Sequence, residues 1–235
     1  MRSRSPRNVS TESPSEQPAY TLAETGRCLK LPVATLRSWV VGRSYPTAAG
    51  PERFQPLIHP PRRKPPVLSF SNLIEAHVLR ALRTDHGVSV KDLRRALKYA
   101  ENTLGVERLL LRRELCTEGG NLFLERYGQL ISLSASGQLA MRKMFEQHLE
   151  RVVWDVPQFP VRLYPFLSSE GLGPDRPIAL DPQIAFGRPI VVRRGVSTHA
   201  IAERIDAGET VPDLAADYDL SPTEIEGAVL YERAA

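Results

Sequence analysis

At 235 residues and 42% hydrophobic composition the chain can build the cores of two domains, and no run approaches the roughly 18 apolar residues needed to cross a bilayer. Two cysteines without CxxC spacing and five scattered histidines argue against a disulfide framework and a metal cluster, so a soluble cytoplasmic protein is expected. The net charge of +4 hides a division: residues 1–113 carry 20 Lys and Arg against 9 Asp and Glu, whereas residues 114–235 carry 11 against 18. A basic half suits a polyanion and an acidic half keeps that surface free for a protein.

Residues 1–19, rich in Ser, Pro, Arg and Glu without a period, are expected to be a disordered tail. Thr21 with Glu24 three residues on spells a capping box and opens a helix over Leu22 to Leu29. Pro32 is tolerated in the first turn of a new helix, so Val33 to Val40 form a second one, which Gly42 ends. Two short helices across a tight turn form a helix-turn-helix, whose second helix enters a DNA major groove. Leu22, Ala23, Leu29, Leu31, Val33, Leu36 and Val40 pack inward with Trp39, leaving Thr35, Arg37, Ser38 and Arg43 outward. Arginine can grip guanine O6 and N7, and hydroxyls can reach phosphates or base edges.

Prolines at 46, 51, 56, 60, 61, 65 and 66 exclude a helix from the next stretch. Strands in "RFQPLI" and "PVLSF", joined by the tip Arg62, Arg63 and Lys64, would make a wing lying on the DNA backbone, with Arg53 joining the DNA-facing cations. "NLIEAHVLRALRTDHGVSVKDLRRALKYAENTLG" then alternates apolar and basic positions at helical spacing and reads as a helical pair broken at Gly87. "RLLLRREL", "LFLERY" and "QLISLS" read as short antiparallel strands, and Gly137 to Val152 as an amphipathic helix serving core or dimer contact. Residues 155–177 look like a linker containing one strand, "VRLYPFL". A helix capped at Ser197 or Thr198, then Pro212 to Tyr218 and Pro222 to Tyr231, complete the chain as three helices. From residue 197 to 235 there are 2 arginines against 9 acids, a surface that repels phosphate.

The order short helix, "TLRSW" helix, wing and helical pair beginning near "GVSVKDLRRAL" resembles the MerR-like winged helix-turn-helix over about residues 20–104. Arg37 stands in the family's Thr-Leu-Arg, so the resemblance implies DNA contact there. Asp181-Pro182, Ile184, Gly187, Pro189, Ala207-Gly208-Glu209, Asp217-Tyr218 and Leu220 resemble the pattern of a small trihelical family of uncharacterised-domain antitoxins, with Arg193-Arg194-Gly195 where Gly-Thr-Arg is common. Together the two parts look like a VapB-type antitoxin, a class typically encoded beside a PIN-domain ribonuclease toxin.

The expected fold is α+β, mainly α. It comprises a tail (1–19), a MerR-like winged helix-turn-helix (20–106), a β-hairpin and helix segment suited to dimerisation (107–154), a linker (155–177) and a trihelical helix-turn-helix-like domain (178–235). The expected function is that of an antitoxin. As a homodimer it would hold operator DNA and repress its own operon, and it would mask a PIN-domain nuclease. The resemblance points to Arg193 or Arg194 entering the toxin's carboxylate cluster, with Asp217, Tyr218 and Glu224 on the same toxin-facing surface. The alternative is a MerR-like regulator answering to a small molecule or protein. No nucleophile with a base and no paired carboxylates suggest an enzyme, and no cofactor is expected.

Overall fold

Thr21 Oγ1 accepts the Glu24 N–H at 3.1 Å, and the Glu24 carboxylate accepts the Thr21 N–H at 2.9 Å, closing the capping box that starts the fold. The computed structural model describes residues 13–47, 50–84, 90, 93–94, 97–98, 101–102, 105, 108–111, 150–156, 159–165 and 177–234. Strand β1 (Tyr20–Thr21) leads into α1 (Leu22–Leu29) and, across a turn at Lys30, α2 (Val33–Val40). Lys30 takes the left-handed conformation (φ 52°) that lets the chain reverse.

The region expected to hold one wing holds two hairpins. β2 (Arg43–Thr47) pairs with β3 (Gly50–Phe54), and β4 (Arg62–Arg63) pairs with β5 (Pro66–Leu68), which also pairs with β1. Thus "RFQPLI" and "PVLSF" are not partners of each other, and the basic tip is itself part of a strand. Pro46 faces Pro51 in the first hairpin, which is compatible with a two-stranded ribbon because each strand leaves one edge free of ladder bonds.

Helix α3 (Phe70–Thr84) is preceded by Ser69, which closes its first turn: Ser69 Oγ accepts the Asn72 N–H at 3.2 Å while Asn72 Oδ1 accepts the Ser69 N–H at 3.1 Å. It is buried on nearly every side. Leu73, Ile74, Val78, Ala81 and Leu82 form the expected apolar face, and Asn72, Glu75 and His77 are buried too. Glu75 is made tolerable there by partners: Asn72 Nδ2 donates to it at 2.8 Å and Arg108 Nε at 3.1 Å. Arg108 also pairs with Glu16 at 2.5 Å. Burial works against its cation, but the charges and hydrogen bonds of Glu75 and Glu16 outweigh it and raise its pKa.

This network corrects two expectations. The stretch placed in a disordered tail is ordered from residue 13, with a 3-10 turn at Pro14–Glu16, Ser15 buried, and Glu16 also accepting a hydrogen bond from Ser71. "RLLLRREL" does not begin as a strand: Leu109–Leu111 form a 3-10 turn with Leu109 and Leu110 in the core. The remaining strands, glycine turns and helix expected over 112–149, and the break at Gly87, lie outside the described residues.

Where it is described, the segment read as the end of a helix and a linker contributes two strands to a sheet, the second of them where the linker's one strand was expected. β6 (Val152–Trp154), β7 (Pro160–Leu163), β8 (Ile178–Leu180), β9 (Pro189–Val191) and β10 (Val196–Ser197) form a five-stranded antiparallel sheet in the spatial order β10-β9-β8-β7-β6. Its inner strand β8 is buried throughout. α4 (Thr198–Asp206), α5 (Val211–Tyr218) and α6 (Pro222–Arg233) follow, at the positions their caps predict. Thr210 caps α5 and a Ser221–Glu224 capping box starts α6. Ile201, Leu214, Leu220, Ile225 and Ala228 make a small core under these helices.

The main core does not stop at the boundary suggested by sequence. Val152, Leu163 and Leu180 belong to the same apolar cluster as Leu29, Leu36, Trp39 and α3, so the sheet and the helix-turn-helix share one interior. Among the described residues no helix is long and apolar enough to cross a membrane.

Candidate nucleic-acid interface

Leu36, Trp39 and Val40 turn α2 inward, all nearly or fully buried. What remains outside is Val33, Ala34 and Arg37, at positions i, i+1 and i+4 of one helical face, with Thr35 and Ser38 half-buried at its side. Val33 is 41% exposed and Ala23 on α1 is also exposed, so neither is the core residue expected. Both Val33 and Leu36 reach the α1 crossing beside Gly26, but only Leu36 is fully covered there. A small apolar side chain beside an arginine is suited to a thymine methyl group next to a guanine edge. Ser38 folds back on its own helix, its hydroxyl donating to the Thr35 carbonyl at 2.8 Å.

The passage from α2 to the first hairpin is set by Gly42, whose φ of +85° and close approach leave no room for a side chain: a Cβ would lie 2.3 Å from the Phe54 carbonyl oxygen. Arg43 follows it and is exposed. Arg53 is exposed as well, but its Nη2 donates to the Val41 carbonyl at the C-cap of α2 at 2.8 Å, tying the hairpin to the end of that helix. Tyr45 stacks on Phe54 with ring centroids 4.0 Å apart, and the Arg94 guanidinium lies 4.5 Å above the Phe54 ring while donating to the Gln55 carbonyl at 3.1 Å. Arg94, expected on an outer face, therefore braces the hairpin. This stack escaped the sequence reading because its members are spread over residues 45–94 and show no common period.

Arg62, Arg63 and Lys64 are exposed on the second hairpin. Among the described residues Arg37, Arg43, Arg62, Arg63 and Lys64 carry no ion pair. That is a property of the front half. At the back, the charges are matched within the chain. Arg193 donates to the Asp219 carbonyl and lies 3.5 Å from its carboxylate and 3.9 Å from Glu224, and Arg194 pairs with the same Asp219. Arg204 bonds Glu209 and, at 2.6 Å, Asp217, with its guanidinium 5.1 Å from the Tyr218 ring centroid. Arg233 pairs with Asp206 at 2.7 Å.

The residues expected on a toxin-facing surface thus fall into two clusters, Arg193, Arg194 and Glu224 around Asp219, and Asp217 and Tyr218 around Arg204. Glu224 is the least available, at 18% side-chain exposure and engaged in its capping box. Asp181 is likewise structural: it accepts Arg162 at 2.8 Å and the Gln183 N–H at 2.9 Å. Among the described residues no group of three His, Cys, Asp or Glu is placed to hold a metal ion.

Among the described residues, a helix-turn-helix with unpaired cations is fused to a sheet-and-helix module in which Arg193, Arg194, Arg204 and Arg233 are held by carboxylates, which defines a two-part protein. Residues 18–97 match the family described as "Putative DNA-binding HTH domain", and residues 178–231 match that described as "Protein of unknown function (DUF433)". The chain is similar to the "Putative antitoxin VapB45" of Mycobacterium tuberculosis (strain ATCC 25618 / H37Rv), 29% identical over 228 residues covering 90% of this chain and 92% of that protein. It is also similar to the "Uncharacterized protein Rv2308" of the same organism, 24% identical over 252 residues covering 96% and 94% of the two chains. The crystal structure of Rv2018 from M. tuberculosis shares the fold with a TM-score of 0.64 at 24% identity, covering 91% of this chain and 98% of that one.

Proposed function

We propose that this protein is a DNA-binding antitoxin: its MerR-like winged helix-turn-helix holds operator DNA and represses its own operon, and its trihelical C-terminal domain binds and neutralises a PIN-domain ribonuclease toxin. The observation that carries the reading is the contrast in charge pairing: among the described residues Arg37, Arg43, Arg62, Arg63 and Lys64 at the front carry no ion pair, while Arg193, Arg194, Arg204 and Arg233 at the back are bound to carboxylates. Unpaired cations release counterions when they meet phosphate, whereas a cation already held by a carboxylate gains much less. The similarity to a relative named as an antitoxin and the match to a helix-turn-helix family agree with this reading.

On α2, Arg37 reads a base edge with Val33 and Thr35 beside it, Ser38 supports them, and Arg43, Arg53, Arg62, Arg63 and Lys64 contact phosphates. The toxin meets Arg193, Arg194, Asp217 and Tyr218, with Glu224 behind them. The protein acts as a homodimer, contributed by residues 107–154, so that two recognition helices engage half-sites one helical turn apart.

The test is co-expression with the nuclease encoded beside it. Full-length protein should shift its own promoter fragment with an affinity that falls steeply with salt, and should copurify with the nuclease and suppress its RNA cleavage. A full chain that retards neither its promoter nor random duplex at low ionic strength overturns the DNA assignment. An adjoining gene that encodes no nuclease, or a nuclease that stays active in its presence, overturns the toxin assignment.

A further inference from the structure

Where the front and back of the molecule meet, a cleft of about 410 Å³ lies outside both proposed surfaces. Its size falls in the range of small-molecule sites, which favour such junctions. Tyr20 and Tyr231 form part of its floor, but they are only 3% and 2% exposed, their hydroxyls are already bonded, to the Gly187 carbonyl at 3.0 Å and the Cys28 carbonyl at 2.8 Å, and Lys30 Nζ lies over the Tyr231 ring, so they shape the cleft without offering a ring face. Phe186 stands at the same cleft 86% exposed. It and Ala185 both have left-handed backbones, φ 56° and 49°. Each such residue costs on the order of 1–3 kcal/mol, a strain that clusters where a surface has work to do.

The charged groups divide unevenly. Glu24 accepts both the N–H and the hydroxyl of Thr21, and Glu232 accepts the Thr198 hydroxyl at 2.5 Å, so both carboxylates are engaged inside the protein. The two arginines are exposed: Arg27 has no ion pair among the described residues, and Arg188, which pairs with Glu24 across 3.6 Å, keeps its side chain 65% exposed. Two guanidinium forks and one exposed aromatic ring around one cleft suit a ligand with a flat apolar body and a carboxylate.

We propose that this cleft binds a small aromatic carboxylate, its anionic group held by Arg27 and Arg188 and its ring by Phe186. The site lies against Cys28, two residues before the Lys30 turn that sets α2 on its course, so occupancy also alters operator affinity. That last clause alone rests on the DNA-binding reading. Ligand binding is measured without DNA and stands or falls separately.

The experiment titrates full-length protein with salicylate, followed calorimetrically and by the probe's own fluorescence. One saturable site is expected, with a Kd of roughly 10 µM to 1 mM for a ligand of that size. Arg27→Ala with Arg188→Ala, both exposed and checked for an unchanged melting temperature, should weaken it at least about tenfold, and Phe186→Ala several-fold. Arg37→Ala should leave it unchanged, and benzyl alcohol, which lacks the charge, should bind far more weakly. Absence of saturable binding up to about 10 mM, equal binding by the double variant, or equal binding of benzyl alcohol overturns the site. Salicylate binding without any change in promoter retention overturns the coupling alone.

Discussion

Arg37 and Arg63 are both exposed arginines without an ion pair among the described residues, yet they sit on different elements and should fail differently. On a recognition helix, Arg37→Ala removes a base contact and should cost about 1–3 kcal/mol on the operator with little loss on random duplex. Arg63→Ala on a hairpin strand should weaken every duplex alike and lower the slope of log affinity against log salt by about one. Retention assays at several salt concentrations separate the two, and equal losses on both DNAs for both variants would remove Arg37 from the reading face. Gly187 gives a stability prediction at the same scale. Its φ is +76° and a Cβ would lie 1.8 Å from Tyr20 Oη, so Gly187→Ala strains the backbone and displaces a buried tyrosine. A loss of at least about 1–3 kcal/mol in urea unfolding is expected. The site residues legible in sequence were those whose exposure follows from helix period alone, as Arg37's does. Val33 was misjudged because its period fits the core, and it does reach Gly26 of α1, yet 41% of it stays exposed.

The elements were legible where their signals are local. Pro32, the Thr21 and Ser221 capping boxes, and Thr210 before Pro212 mark helix ends within four residues, and the helices begin and end there. The hairpins and the five-stranded sheet were not, because a strand's partner is chosen by long-range packing, and "VRLYPFL" reads as a lone strand in a linker until β6 and β8 flank it. Ordering of Ser13 to Glu16 depends on Arg108, which lies 92 positions from Glu16. The capping box of α1 carries a pH prediction. Burial works against the Glu24 carboxylate, but the Thr21 hydrogen bonds and the Arg188 charge outweigh it and hold its pKa below the ordinary value. A depressed folded-state pKa contributes stability that is complete above the ordinary carboxylate range and is lost as pH falls through the folded value. Glu24→Gln keeps the capping geometry but removes the charge. It should be less stable than the parent at neutral pH by a few tenths of a kcal/mol, roughly, given solvent screening, and the gap should close as the pH falls through the depressed folded-state value. A gap that persists into acid would mean that the hydrogen bonds, not the charge, set the difference.

At the scale of the molecule, the modules that composition separates are joined by a consequence of one proline. In α1 the Cys28 carbonyl should accept from the N–H four residues on, but that residue is Pro32, the one that makes the tight turn possible, and it has none. The donor comes instead from Tyr231 in α6, 203 positions away, at 2.8 Å in a buried contact, with Lys30 Nζ 4.4 Å over the same ring. Burial pushes the Cys28 thiol up to about 12 and the Tyr231 hydroxyl well above its ordinary value, so both stay protonated and the bond persists across the physiological range. Tyr231→Phe leaves that carbonyl unpaired and should cost about 1–3 kcal/mol. Because Val152, Leu163 and Leu180 lie in the same core as Trp39, the loss should not be confined to α6. Tryptophan fluorescence, which reports on Trp39 in the front and Trp154 in the sheet, and far-ultraviolet dichroism, which reports on all helices, should move together to a lower urea midpoint. If the helices at the back loosened while the fluorescence midpoint stayed in place, the two halves would be independent, and occupancy at the back could not reach α2 through this contact.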